Sequence, residues 1–298
     1  MRRSHKALEE RDREDDRVPA HPFLKWAGGK WAIAPRLESL LPHDVRERVY
    51  REPFLGGGAM FFYLQPRRAV LSDSLADLVA TYQVVQRSVE PLIKHLEKLR
   101  TTHSPEQFYK VRTAFNGERE APRVERAAWL IYLNKTCFNG LYRTNREGSF
   151  NVPVGRFSNP GILDPTTLRL AQAALSHAEL VHTTFDHLAD RAEPGDVVYF
   201  DPPYSPLTRT SSFSAYADGA FTLADQTRLA GIFRELDARG CLLALSNNDT
   251  PDVRRLYEGY DVSPVIAPRA ISSKASTRGE VTELLIRNVD KYPKRPRI

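Results

Sequence analysis

Cysteine is scarce in this chain: Cys137 and Cys241 are the only two among 298 residues, far apart and without a C-x-x-C partner. That excludes a disulfide framework and points to a reducing, cytoplasmic setting. Long apolar runs are also lacking. No stretch approaches the roughly 18 residues that cross a bilayer, so no membrane partner is expected. The opening MRRSHKALEERDREDDRVPAHP has no apolar segment of the kind a secretory signal carries. It reads instead as a disordered charged extension over residues 1–21. Internal repeats and low-complexity tracts are missing as well. What is there suits one large α/β domain carrying an insertion, with 41% hydrophobic residues and a mean hydropathy of −0.45. A net charge of +6 leans towards a polyanionic partner, and the basic tail at 291–298 adds to it.

From Phe23 the chain falls into three blocks. In residues 22–86, Trp31–Leu41 suits a helix with Pro35 in its first turn. Val49–Pro53 reads as a strand, followed by glycines, a helix over Ala59–Leu64, a strand over Ala69–Leu71 that runs out at Asp73, and helical spacing over Leu75–Val85. Strand, glycine turn, helix, strand and acid are the order of a nucleotide-binding βαβ unit. Residues 87–176 are helix-rich up to Leu133. They then change to NKTCFNGLYRTNREGSFNVPVGRF (134–157), dense in Asn, Gly, Arg and aromatics, with a turn at Glu147-Gly148. That segment suits a hairpin or an ordered loop. Residues 177–290 return to α/β alternation, with strands expected at Glu179–Val181, Val197–Phe200, Leu242–Leu245 and Val281–Ile286. A helix over Leu223–Asp237 is expected to end at Gly240.

Three motifs carry candidate chemistry. Phe54-Leu55-Gly56-Gly57-Gly58 permits a tight turn and close backbone approach to a ligand. Glu52 precedes it, and Asp73 follows about 20 residues on, where an acid holds ribose hydroxyls. The pattern is not G-x-G-x-x-G, which disfavours a dinucleotide. FLKWAGGK (23–30) fails as a Walker A loop, because Leu24 and Trp31 stand where glycine and Ser/Thr are needed. It reads either as a plain turn or as a lip beside an anionic ligand. VVYFDPPYSP (197–206) runs from a buried strand into Asp201, Pro202, Pro203 and Tyr204. The acid lies at a strand's carboxyl end, where open α/β sheets bind ligands. A carboxylate and a proline-fixed carbonyl offer two acceptors for an amino group, and Tyr204 offers a face for stacking. A lone Asp-Pro turn on a surface is the plainer alternative.

Together, FLKWAGGK, FLGGG and DPPY resemble the Dam-type N6-adenine DNA methyltransferases. So do the segment around CFNGLYRTNREGSF, FSAYADGAFTLADQ and ISSKASTRGEVTELLIRN. The resemblance runs from about Pro22 to Asn288. It implies a Rossmann-like S-adenosylmethionine-dependent methyltransferase fold built from 22–86 and 177–290. A mainly helical target-recognition domain containing a β-hairpin would be inserted over 87–176. It implies S-adenosylmethionine as cofactor, held by Trp26, Lys30, Glu52, Phe54, Gly56, Gly58, Asp73 and Asp201. The catalytic loop would be Asp201, Pro202, Pro203 and Tyr204, acting on a flipped adenine. Double-stranded DNA is the implied partner and GATC the implied site. Lys25 would contact the first guanine, Leu141 and Arg143 the second half, and Pro153 the outer thymine. Phe138 would insert beside the flipped base, with Asn139 adjacent, and Asn145 would lie in the same DNA-binding segment. Phe138 lacks the tyrosine hydroxyl of some members, so stacking is expected without that hydrogen bond. A monomer is expected in solution.

No cysteine follows a proline, as a cytosine C5 methyltransferase would require, and the P-C-x-x-C of zinc deaminases is missing. Both cysteines are expected to pack as small hydrophobes. Two alternatives share part of the pattern. One is an amine methyltransferase acting on RNA or protein glutamine, which usually carries Asn in place of Asp201 and lacks the FNGLYR insertion. The other is an inactive DNA-binding relative, against which the intact DPPY stands.

Overall fold

A computed structural model describes residues 17–204, 221–268 and 280–293. Residues 1–16 of the expected extension, most of the basic tail, the start of FSAYADGAFTLADQ and all of ISSKASTRG therefore lie outside the described residues, whereas 17–21 are described and Ala20 is buried. The described chain builds a seven-stranded sheet. In chain order the strands are β1 (Val49–Glu52), β2 (Arg68–Asp73), β3 (Ala178–His182), β4 (Val197–Phe200), β5 (Leu242–Asn248), β6 (Asp261–Pro268) and β7 (Glu280–Arg287). Across the sheet they run β3-β2-β1-β4-β5-β7-β6. The first five are mutually parallel. β7 inserts antiparallel between β5 and β6. This is the Rossmann-like methyltransferase fold that the resemblance implies.

The residues of β4 explain its unbroken apolar run. Val197 and Tyr199 join one hydrophobic cluster with Tyr50, Leu71, Tyr82, Leu130 and Tyr132. Val198 and Phe200 join another with Leu229, Phe233, Leu243 and Ile286. Successive side chains of a strand point to opposite faces, and here both faces are covered, so alternation disappears. One face is covered by helices Ala76–Arg87, Val89–Thr101, Pro105–Gly117, Arg123–Thr136 and Pro165–Leu175. Helix Leu223–Arg239 covers the other. The latter starts with a capping box between Thr222 and Asp225 and stops at Gly240 with φ of 92°, as start and stop signals require.

The order reverses between β1 and β4, which pair at Tyr50–Val197 and Arg51–Val198. At such a switch point the loops leaving two adjacent parallel strands diverge to opposite faces and open a crevice. Here those loops are Phe54–Gly58 and Asp201–Tyr204. The fold thus places the two motifs side by side.

Some elements differ from the sequence expectation. Ser246-Asn247-Asn248 continues β5 as buried strand, because its side chains find polar partners inside. β6 contains Pro264 and Pro268, which disguise a strand but suit the sheet edge it occupies. Helix Pro165–Leu175 opens on an Asp164 cap with proline in its first turn. Residues 137–154 are a folded-back loop joined by single bridges Cys137–Val154 and Thr144–Phe150, hairpin-like without continuous strands. Among the described residues, no helix is long and apolar enough to cross a membrane.

Candidate active site

A cavity of about 790 Å³ opens at the switch point, walled by residues 26–30, 52–60, Asp73, Ser74, Tyr142, Thr184, Phe185, Tyr199, residues 201–204 and Phe221. Its floor is the glycine turn. Gly56 and Gly58 have φ of 48° and 68°, in the region that penalises a side chain. A Cβ on Gly56 would lie 2.7 Å from Trp26 Cδ1, so the indole rests directly on the turn's backbone. Asp73 pins the same turn: its Oδ2 accepts from Gly56 N at 3.0 Å and its Oδ1 from Leu75 N at 3.0 Å. Both carboxylate oxygens keep a further lone pair for a ligand hydroxyl. Burial holds the Asp73 carboxyl above its usual range. Tyr82 donates its hydroxyl to the Gly56 carbonyl at 3.1 Å.

Glu52, at the end of β1, is 3% exposed and accepts from the Tyr50 hydroxyl at 2.9 Å. Burial pushes its carboxyl up to about 8, against the hydrogen bond from Tyr50, and the nearby Asp201 charge adds to the rise. Phe54 stacks on Phe185, with centroids 5.3 Å apart, and meets Phe221 edge-on. The cavity is thus lined by an aromatic wall of Phe54, Phe185 and Phe221 and by the carboxyl groups of Glu52, Asp73, Asp201 and Asp225.

At the DPPY end, Lys30 is the organising cation. It is 3% exposed, and its Nζ donates to the Gly28 carbonyl at 2.6 Å. The same Nζ lies 3.0 Å from Asp201 Oδ1 and 3.7 Å from Glu283 Oε2. It also sits 4.9 Å from the Tyr204 ring centroid. A buried charge needs such partners to persist. Burial pushes the Asp201 carboxyl up to about 6; Lys30 opposes that rise and Glu283 adds to it. Burial also pushes the Tyr204 hydroxyl up, with Asp201 and Glu283 adding. The Tyr204 hydroxyl and Glu283 Oε2 are buried without hydrogen-bond partners.

The proline turn is held from behind. Gln226 Nε2 donates to the Pro203 carbonyl at 3.3 Å, and Asn247 Nδ2 donates to Gln226 Oε1 at 3.0 Å. Tyr199 and Ser246 share a hydroxyl hydrogen bond of 2.8 Å beneath the turn. Gln226, Asn247, Tyr199 and Glu283 were not identifiable as site residues in the sequence. Each lies on a core-facing position of a regular element, where only the tertiary fold reveals what it meets.

The remaining candidates gather on one exposed surface. Lys25 is exposed, and its backbone is clamped by Asn134, which accepts from Lys25 N at 2.9 Å and donates to its carbonyl at 2.7 Å. Asn134 also donates to the Gly140 carbonyl at 3.1 Å. A Cβ on Gly140 would lie 2.6 Å from Lys25 Cδ, so the Lys25 stem lies against that glycine. Phe138 is 44% exposed, so its ring stands open on this surface. Asn139, with φ of 56°, Arg143, Asn145 and Pro153 are exposed too, and Leu141 is half-buried. Arg143 Nε donates to Asn151 Oδ1 at 2.8 Å, while Asn145 Oδ1 accepts from the Glu147 and Ser149 amides and closes the turn. Pro153 accepts from Phe138 N at 2.9 Å. Cys137 and Cys241 are both buried, and burial pushes each thiol up to about 11; neither lines the cavity.

A glycine-floored crevice at the sheet's switch point, closed by Asp-Pro-Pro-Tyr and flanked by an exposed polar loop, is the arrangement that the resemblance to amino-group methyltransferases implies. The family model for the D12 class N6 adenine-specific DNA methyltransferases matches residues 26–271, and the chain belongs to that family. It is a DNA adenine methyltransferase. Among curated relatives it is similar to the type II methyltransferase M.MjaIII of Methanocaldococcus jannaschii, at 42% identity over 90% of this chain and 98% of that one. It is 36% identical to the type II methyltransferase M1.LlaDCHI of Lactococcus lactis subsp. cremoris, over 92% of this chain and 98% of that one. The DNA adenine methylase of Escherichia coli K12 is 36% identical over 88% of this chain and 93% of that one.

Proposed function

We propose that this enzyme transfers a methyl group from S-adenosylmethionine to N6 of an adenine flipped out of duplex DNA, within GATC. The observation that carries the reading is the adjacency of two loops: the glycine turn after β1 and the DPPY turn after β4, with Lys30 held between Gly28 and Asp201. The residues present fit the cofactor. The cradle at Gly56 is one that any Cβ would fill, Asp73 has lone pairs to spare, and the aromatic wall of Phe54 and Phe185 suits an adenine ring. Trp26, Lys30, Glu52, Phe54, Gly56, Gly58, Asp73 and Asp201 would hold it, and when bound it supplies an electrophilic methyl group.

The chain's own residues do the rest. Asp201 and the Pro202 carbonyl accept the two hydrogens of the target amine and favour a tetrahedral nitrogen with its lone pair free. Tyr204 stacks on the base. Lys30 keeps Asp201 ionised near neutral pH despite its burial, and the Asn247–Gln226–Pro203 relay holds the turn still, so positioning and electrostatics supply the rate. No thiol takes part. Residues 22–86 and 177–290 form the catalytic part and 87–176 the recognition part, acting as a cytoplasmic monomer. Phe138 fills the space left by the flipped base, with Asn139 and Asn145 beside it. Lys25, Leu141, Arg143 and Pro153 read the flanking bases, since arginine can donate twice to guanine O6 and N7.

The test is tritiated methyl transfer to unmethylated duplexes with and without GATC. Label on the GATC duplex alone, lost in Asp201→Ala, is expected. Label on RNA or protein but on no DNA would favour an amine methyltransferase of another class. Duplex binding without label on any substrate would favour an inactive relative.

A further inference from the structure

Tyr142 belongs to the exposed loop, yet its ring turns inward and lines the cavity. It stacks on Trp26, with centroids 5.8 Å apart and planes 21° apart. On its other side it meets Phe150 at 5.6 Å. Phe150 is buried, and its amide donates to Asn116 Oδ1 at 2.8 Å. Burial pushes the Tyr142 hydroxyl up to about 12, so it stays neutral. Trp26 in turn bears on Gly56 and Gly57, where an added Cβ would lie 2.7 and 3.0 Å from its side chain.

We propose that Tyr142 is a positioning residue that couples the DNA-facing loop to the methyl-donor loop, so that each ligand tightens binding of the other. Contact is continuous from Arg143's neighbour through two stacked rings to the backbone of the glycine turn. The dipeptide Lys25-Trp26 reinforces it, with Lys25 packed on Gly140 at the exposed surface and Trp26 on Gly56 in the cavity. The loop is held by the bridges Cys137–Val154 and Thr144–Phe150 and by side-chain hydrogen bonds with Asn116 and Asn134, while Arg143 and residues 145–148 are exposed. Ordering that exposed part on a ligand costs conformational entropy. A ligand in the cavity that pins Trp26 also pins Tyr142, and the second ligand then meets a loop already ordered. Reciprocity follows from linkage.

The inference rests on the proposed assignment of the loop to DNA. The test titrates S-adenosylhomocysteine by calorimetry, with and without a saturating GATC duplex. The wild type is expected to bind it at least about fivefold more tightly on the duplex, the lower end of usual coupling. Tyr142→Phe keeps the ring and should keep the ratio. Tyr142→Leu should bring the ratio to near one while both ligands still bind singly. Should that variant not fold, Phe150→Leu, which loosens Tyr142 from behind, should lower the ratio instead. A wild-type ratio of one, or an unchanged ratio in the folded Tyr142→Leu or Phe150→Leu protein, overturns the coupling. Failure of the wild type to bind any duplex would count against the proposed function itself.

Discussion

Lys30 Nζ lies 3.0 Å from Asp201 Oδ1, although the two residues are 171 positions apart, one on the turn before the short helix Trp31–Ile33 and the other on the turn after β4. On the proposed function, the pair makes Lys30 part of the amine-binding centre as well as of the cofactor wall. Its ammonium opposes the burial that pushes Asp201 up to about 6. Lys30→Met removes that pull. The acid limb of the kcat–pH profile should then move upward by about one unit or more, with kcat at pH 7 falling about 10²-fold. An acid limb that stays in place would show that Lys30 does not set the Asp201 charge.

Glu52 makes stability depend on pH. Its folded-state carboxyl is pushed from 4.5 up to about 8, so the folded protein holds that proton where the unfolded chain has released it. The stabilisation is complete below about 4.5 and is lost as pH rises towards 8, at about 1.4 kcal/mol per unit. Glu52→Gln cannot titrate. The difference in urea-unfolding free energy between variant and wild type should grow over that window in the variant's favour.

Gly56→Ala tests the cradle. Its backbone sits at φ of 48° and a Cβ would overlap Trp26, so the strain should cost about 1–3 kcal/mol. Urea unfolding should report that loss, and affinity for S-adenosylhomocysteine should fall with it. Gly148, also at positive φ but with no neighbour near its Cβ, is the control: Gly148→Ala should leave that affinity unchanged.

Arg143→Ala tests base reading. Loss of a bidentate guanine contact should cost about 1–3 kcal/mol at one position and relax the preference there alone. Methylation of a panel of duplexes, each with one base of GATC changed, measures this directly. Equal loss on every duplex would assign Arg143 to phosphate instead.

The sheet was legible wherever a strand was buried on both faces or ended in a special turn. Val197–Phe200 stands where the apolar run placed it, and beside the sheet the helix Ala59–Leu64 stands where the glycines placed it. β6 was not, because Pro264 and Pro268 argue against a strand until its edge position is known. Of the site, the short motifs were visible because glycine, proline and acid are constrained by backbone chemistry. Glu283, Gln226 and Asn247 were not, because a polar residue in a strand or helix gives no sign of which buried partner it meets. Tyr142 lies within the FNGLYR segment, but nothing in the sequence puts it beside Trp26.

Asp201, held by Lys30, is proposed to receive the amine of an adenine in GATC. Sequencing methylated adenines in unmethylated DNA treated with wild type, and with an Asp201→Asn variant that still binds duplex, tests it most directly. The expected result is N6-methyladenine confined to GATC with the wild type and no detectable mark with the variant. Marks at another sequence, or undiminished methylation by Asp201→Asn, would contradict it.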